Sequence, residues 1–431
     1  MSWAKAKLGK ICKIEKGSTG INKAIPGVYP MVVTSEARKS HNEYQFDDDA
    51  VIIPLVSSTG HGHKSLKRIH FQQGKFALGS ILCAVIPKDK TLLNAAYLYR
   101  YLDLHKDDEL VARMKGMANV TLPIKEIAQI EIPLPPIKEQ IEFTKKYYRL
   151  ESNSESLSAQ FASQLDLLKK LRQQILQDAV QGKLAPQDPN DEPASVLLQK
   201  IKAEKEQLIR EKKIRQEKPL PAIKPEDIPF EIPENWVWCR LEEVGIVNPR
   251  NHLPDDTEVS FIPMNLISAN YGTYPEYLLK KWKEIKNGFT HFADDDIAIA
   301  KITPCFENSK ACIFKNLKNG VGAGTTELYV FRPNPKNISP EYIYINLKTQ
   351  RFLNNGERIM RGVAGQQRVP SEYFRELIIP LPPLNDQHRI VTKVAQLMSL
   401  CDDLEQTMKQ NQAYTRQLLQ VALKEALEPG S

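Results

Sequence analysis

Few residues in this chain are arranged to do chemistry. Asp47, Asp48 and Asp49, and again Asp294, Asp295 and Asp296, set three carboxylates in a row, the donor type that holds a hard divalent cation. Each triad runs directly into an apolar stretch, VIIPLV or IAIAKI, which reads as a turn entering a strand. His61 and His63 flank Gly62, yet no matching His or Cys cluster occurs in the second half, so a polar loop is the simpler reading. Cys305 and Cys312 lack a second pair, and all six cysteines stand singly, which suggests neither a zinc knuckle nor a disulfide framework. GSTG at residues 17–20 continues as Ile-Asn rather than Lys-Ser or Lys-Thr, so it makes no P-loop. Asn-Pro at 248 and 334 does not continue as the Asn-Pro-Pro-aromatic signature of an adenine methyltransferase. No glycine-rich strand-to-helix turn suits S-adenosylmethionine, and no Asp…Glu-x-Lys cluster sits on a strand pair as a nuclease needs. The expected inventory is therefore no catalytic residue, no metal ligand and no cofactor.

The elements that would position any binding residues come next. The chain has 431 residues, room for two or three domains, and 42% hydrophobic content, enough for packed cores. It has no apolar run of membrane-spanning length and no secretory signal, so a cytoplasmic location with free thiols is expected. A formal charge of +7 is compatible with a polyanionic partner without requiring one.

The sequence repeats itself. IPLPPIKEQ at 132–140 matches IPLPPLNDQ at 379–387, an offset of 247, and Met114-Lys115-Gly116 aligns with Met360-Arg361-Gly362. AAYLYRYL from Ala95 matches PEYIYINL from Pro340, and Trp3 with Leu8 and Ile11 resembles Trp236 with Leu241 and Val244. Resemblances kept in order over so long a span indicate an internal duplication. Each copy joins a mixed α/β globular segment to a long helix with proline where a first turn tolerates it. The boundaries read as a globular domain at 1–135, a helix at 136–183, a linker with a charged helix at 184–233, a second domain at 234–382 and a second helix at 383–428. The charged run LLQKIKAEKEQLIREKKIRQEK reads as a solvated helix, and Trp236 and Trp238 as packing anchors.

Both long helices carry a heptad pattern. Phe143, Tyr147, Leu150, Ser154, Leu157, Phe161, Gln164, Leu168, Leu171 and Ile175 follow 4-3 spacing, and adding 247 to each yields the series Ile390 to Ala422. This predicts that the helices pair with each other, with Gln164 and Asn411 as polar seam positions; the alternative is one amphipathic helix packed on each domain.

The doubled IPLPPxxxQ junction, the helix end LLKKLRQQILQDAVQGKLAPQDPNDEPASVLL and the IPENWVWCRLEEV opening of the second half resemble specificity subunits of type I restriction–modification systems, across essentially the whole chain. The resemblance implies two target-recognition domains separated by an antiparallel coiled coil, binding double-stranded DNA without catalysing anything. It also implies partners: two methyltransferase subunits, and restriction subunits in the full complex. Two similar but non-identical domains would read an asymmetric, two-part target, with the helices setting the unread spacer. A self-sufficient methyltransferase or nuclease with an unfamiliar site, and a scaffold that never touches nucleic acid, are the alternatives.

Contacts to phosphate want Lys, Arg, hydroxyls and free amides, and base readout wants Arg, Lys, Asn and Gln. In the first half the candidates are Lys16, Ser18 and Thr19; Ser58, Thr59, His61, His63 and Lys64; and Lys115, Asn119 and Thr121. In the second they are Arg250 and Asn251; Lys301, Thr303, Asn308 and Lys310; and Arg361, Gln366, Gln367 and Arg368. The 361–368 loop ranks first, because small residues allow close approach and its glutamines suit adenine. The ordinary alternative is a surface turn.

Overall fold

The computed structural model describes residues 3–59, 62–214, 216–217, 219–334 and 336–425, with the side chain of Lys424 left aside. His61 and the segment containing the expected boundary at 428 lie outside the described residues. The chain forms two compact units, residues 1–162 with 408–431, and residues 163–407.

In the first unit, one antiparallel sheet orders its strands Cys12–Lys16, Leu82–Pro87, Ala50–Pro54, His70–Gln72. A second sheet orders Lys39–His41, Tyr29–Val32, Lys75–Leu78, Phe46–Asp47, and its central pair is parallel. The second unit repeats this plan. One sheet runs Gly245–Val247, Leu328–Pro333, Ile297–Ala300, Ala311–Ile313, and the other runs Leu278–Lys281, Glu258–Ile262, Val321–Gly324, Thr290–Ala293, again with a parallel central pair.

The apolar strand runs noted in the sequence have a physical cause. Successive side chains of a strand point to opposite faces. Val51, Ile53, Cys83 and Val85 enter a core shared with the helix Ala95–Leu104, whereas Ala50, Ile52, Ala84 and Ile86 enter a second core with Phe46 and Phe76. A strand buried on both faces has no polar side to alternate. The carboxylate triads sit where strands are entered. Asp47 ends one strand before Ala50–Pro54 begins, and residues 294–296 link Thr290–Ala293 to Ile297–Ala300. Asp296, almost fully buried, makes two short bonds to Arg332 at 2.7 and 2.6 Å.

A short strand brings each long helix to its domain: Lys5–Lys7 pairs with Glu131–Pro133, and Val237–Arg240 with Ile378–Leu381. The long helices Ile137–Val180 and Leu384–Glu425 follow. The shared Gln of the junction motif explains itself here. Gln140, fully buried, accepts the Asn94 amide at 2.8 Å and donates to the carbonyls of Pro135 (2.8 Å) and Leu92 (2.9 Å). Gln387 accepts the Ser339 amide at 2.9 Å and donates to the Pro382 carbonyl at 3.1 Å. Asn94 and Ser339 are the caps of the helices Ala95–Leu104 and Pro340–Leu347, so each glutamine ties a long helix to the cap of a domain helix.

The first long helix ends at Gly182, whose φ of 71° suits a left-handed cap. The amides of Gly182 and Lys183 bond back to the carbonyls of Ala179 and Asp178. A Cβ at Gly182 would lie 2.6 Å from Pro233.

Within the second unit the helices run antiparallel. Arg172 pairs with Asp402 (2.7 Å) and Glu405 (3.1 Å), while further along, Asp191 meets Asn385 and Arg389. Within the first unit, Leu419 and Leu423 pack with Phe143, Tyr147 and Leu150.

The expected seam register needs correction. The shared positions Tyr147, Ser154, Phe161, Leu168 and Ile175 do turn inward, but the alternating ones are displaced by one residue. Ser158, Leu165 and Arg172 are the more covered, whereas Leu157, Gln164 and Leu171 are exposed. In the second helix Glu405, Gln412 and Leu419 replace Leu404, Asn411 and Leu418 in the same way. The offset of 247 survives the correction unchanged. Gln164 and Asn411 are therefore not seam residues. The more apolar series is not the covered one: of the covered alternating positions only Leu165 and Leu419 are leucine, while Arg172 and Glu405 turn inward to pair with each other.

The charged linker run is also more than a solvated face. In the helix Ala194–Arg210, Ala194, Leu197, Leu198 and Ile201 are buried, and Lys205 donates to the carbonyls of Glu242 and Gly245. The proline-rich linker that follows is held by Arg240, which donates to the Pro221 carbonyl at 2.7 Å. Trp236 is buried and donates its indole N–H to Asp386 at 2.8 Å, consistent with an anchoring role.

Candidate nucleic-acid interface

Each globular half builds the same hairpin and lays it on the same loop. In the first, Lys115 and Thr121 exchange two backbone hydrogen bonds, both 2.8 Å. In the second, Arg361 and Arg368 do so at 3.0 and 2.8 Å, closing a loop one residue longer. Gly116 (φ 114°) and Gly362 (φ 127°) begin both loops in the left-handed region that favours glycine. The hairpins dock on the segments that follow the central strands Ala50–Pro54 and Ile297–Ala300. The amide of Ser57 donates to the Val120 carbonyl at 3.0 Å, and that of Thr303 to the Gln367 carbonyl at 2.9 Å. The amide of Leu122 donates to Leu55, and that of Val369 to Lys301, at 2.9 Å each.

The structure thus brings the 57–64 loop to the 115–121 hairpin, and the 301–310 loop to the 361–368 hairpin. Their side chains are not equally available. Arg361, Gln366, Asn119, Thr121, His63, Lys64 and Asn308 are exposed. Arg368 is engaged by Glu327 through two bonds of 2.9 and 2.8 Å, an interaction that raises the guanidinium pKa further and lowers that of Glu327. Lys115 pairs with Glu126 at 2.7 Å, holding that carboxyl below its ordinary range. Thr303 is buried and its hydroxyl accepts the Gln367 amide at 3.1 Å, so it braces the loop. Half-buried Gln367 contributes its backbone to the same contact. Lys310 donates to the Met264 carbonyl at 3.2 Å. Lys301 lies 5.2 Å from the Tyr329 ring centre, and burial lowers its pKa.

In the 57–64 loop, Ser58 accepts the Lys67 amide at 2.9 Å and Thr59 bonds to Ser65 at 2.9 Å. Ser18 donates to Gln45 at 3.0 Å beside exposed Lys16, and Thr19 bridges Gly79. Arg250 and Asn251 are placed differently. They line a polar hollow with Trp282, Lys286 and His291, where Asn251 donates to the Phe292 carbonyl at 2.9 Å and burial lowers the pKa of His291. Among the described residues, no group of three His, Cys, Asp or Glu side chains is placed to hold a metal ion, and no helix is long and apolar enough to cross a membrane.

Sequence reasoning missed the acidic partners of the hairpins. Glu327 lies 41 residues from Arg368 and Glu126 lies 11 from Lys115, separations at which no local pattern signals contact. The duplication could have exposed the shared frame, since Lys115 and Arg361 align, but not the pairing chemistry.

The type I restriction modification DNA specificity domain matches residues 1–175 and 233–413. The chain is 55% identical over 240 residues to the EcoAI type I restriction enzyme specificity subunit of Escherichia coli, a match covering 56% of this chain and 41% of that protein. It is 53% identical over 240 residues to the Escherichia coli EcoEI specificity subunit, 56% of this chain and 40% of that one, so these matches span about two fifths of either relative. Against the Escherichia coli EcoDI specificity subunit, identity is 25% over 433 residues, 99% of this chain and 88% of the relative. The fold is shared with a chain solved in a study of assembly and conformational transition of the type I R-M system (TM-score 0.58, 15% identity, 100% and 98% covered). It is also shared with an HsdS subunit from Thermoanaerobacter tengcongensis (TM-score 0.55, 16% identity, 99% and 96% covered). With the family domain matched in both halves, around the two hairpins and into both long helices, this chain belongs to the type I restriction modification DNA specificity family.

Proposed function

We propose that the chain reads an asymmetric two-part DNA target, one half-site per globular half, and brings catalytic partners to it without performing chemistry itself. The observation that carries this reading is the frame built twice, in which the same backbone contacts present different side chains. Two binding surfaces of one geometry and two chemistries suit two unlike half-sites, as a protein two-fold suits paired sites on DNA. Arg361, Gln366 and Lys64, with Asn119 and Lys16, are the groups most free to meet phosphate and base edges. Thr303, Arg368, Lys115 and Asn251 hold the loops. The domain limits read from the sequence belong to this proposal.

The long helices would set the unread spacer. A 44-residue helix is about 66 Å long at 1.5 Å per residue. Four residues added to each helix, slightly more than one turn, add about 6 Å and should widen the spacer by about one or two base pairs. The exposed leucines 157, 171, 404 and 418 offer apolar surface for two methyltransferase subunits, with restriction subunits joining the complete assembly, in the cytoplasm.

The test is genome-wide methylation mapping in a host expressing the full chain with its methyltransferase subunit. Methylation at one asymmetric two-part motif, lost without this chain, is the expected result. The same pattern in its absence would make the chain a scaffold.

A further inference from the structure

The two hairpins share a feature that neither phosphate binding nor polar readout uses. Directly after each left-handed glycine stands a large apolar side chain almost wholly in water: Met117 is 93% exposed and Val363 is 71% exposed. They occupy the same point of the duplicated frame, one residue after Gly116 and Gly362. Single exposed apolar residues are ordinary on protein surfaces. Two in equivalent hairpin loops, each two residues after a basic residue (Lys115, Arg361) and on a two-chain element of the kind the roughly 12 Å major groove admits, are a repeated arrangement.

Resting on the DNA-reading function proposed above, we infer that Met117 and Val363 are specificity-determining residues, each packing against the 5-methyl group of a thymine in its own half-site. The left-handed glycine leaves the following side chain exposed, and the backbone hydrogen bonds between Lys115 and Thr121 and between Arg361 and Arg368 hold the flanking chain. Two carboxylates that touch the hairpins, Glu126 and Glu327, are already paired with Lys115 and Arg368. A thymine methyl is the apolar feature that a major-groove edge presents, and apolar side chains are its ordinary partners.

The test uses the full chain assembled with its methyltransferase subunits and duplexes carrying the mapped target, with each thymine replaced in turn by uracil. Losing one buried methyl should weaken binding about 4-fold, at about 0.8 kcal/mol per group. One position in the first half-site should show this loss with the unaltered complex and not with Met117→Ala, while Met117→Leu retains it. Val363→Ala should abolish the response only in the other half-site. The inference is overturned if uracil responses are the same in the alanine variants, if a half-site contains no A·T pair, or if Met117→Ala impairs assembly with the methyltransferase instead. In each of those cases a two-part methylation motif still dependent on the chain leaves the reading function standing; loss of that dependence in the unaltered complex would remove the reading function itself.

Discussion

The junctions between domain and helix, and the hairpins at the candidate interface, were duplicated together but have diverged differently. At the junctions both backbone contacts and side chains are shared: Gln140 and Gln387 make matching bonds, and Tyr97 and Tyr342 donate to the carbonyls of Pro133 and Pro380. At the hairpins the backbone frame is shared, but Lys115 pairs with Glu126 after its loop, whereas Arg368 pairs with Glu327 before it. The difference follows from what each region satisfies. A junction glutamine answers buried backbone groups that are the same in any copy, so other side chains fit badly. A hairpin closed by backbone hydrogen bonds leaves its outward side chains unconstrained.

The largest expected effect comes from breaking the shared region. Gln387→Leu keeps the volume but strands the Ser339 amide and Pro382 carbonyl, and should destabilise the second unit by about 2–4 kcal/mol in urea unfolding. Gln140→Leu, which also strands the Leu92 carbonyl, should cost the first at least as much, and a cost confined to one half would break the equivalence. The hairpins should respond oppositely. Arg361→Ala should weaken duplex binding about 10-fold and lower the salt-dependence slope by about one, with unfolding unchanged. If stability fell instead, the side chain would be part of the frame.

A smaller effect is a pH dependence of the first unit. His70 is buried beside the Arg38 guanidinium at 3.2 Å, and burial, then that cation, pushes its pKa down to about 4. Its folded pKa is thus below the unfolded value near 6.5. The unfolded chain binds more protons between these limits, so this contribution to stability is present above pH 6.5 and is lost as pH falls toward 4. Urea midpoints of the first unit should fall across that window, and His70→Gln should flatten the dependence. The smallest effect is on the helix face. Leu157→Ser should change the stability of the free chain by about 0.5 kcal/mol or less, as a surface substitution does. A cost typical of a core residue would restore the uncorrected register.

The sequence was most legible where physics acts locally or by repetition. The matching segments AAYLYRYL and PEYIYINL were readable as one repeated element, which is a helix in both halves, and the long helices were readable from their heptads. The candidate loops were legible as polar, glycine-bearing insertions between apolar runs. Less legible was how much of each loop is already spent. Thr303, Arg368 and Lys310 look available in sequence, yet they answer Gln367, Glu327 and Met264 through contacts 41 to 64 residues away.

By itself the sequence determined the duplication, the two α/β halves and the long helices, because apolar periodicity and repeated motifs are written along the chain, and its junction motifs carried the resemblance to the family. Only the tertiary structure decided which flank of each leucine-rich stripe faces a partner helix, which strand faces feed which core, and which polar side chains remain for a ligand. Those outcomes depend on groups distant in the chain competing for the same neighbours, and a one-residue change in helix phase, about 100° of rotation, exchanges an inside position for an outside one.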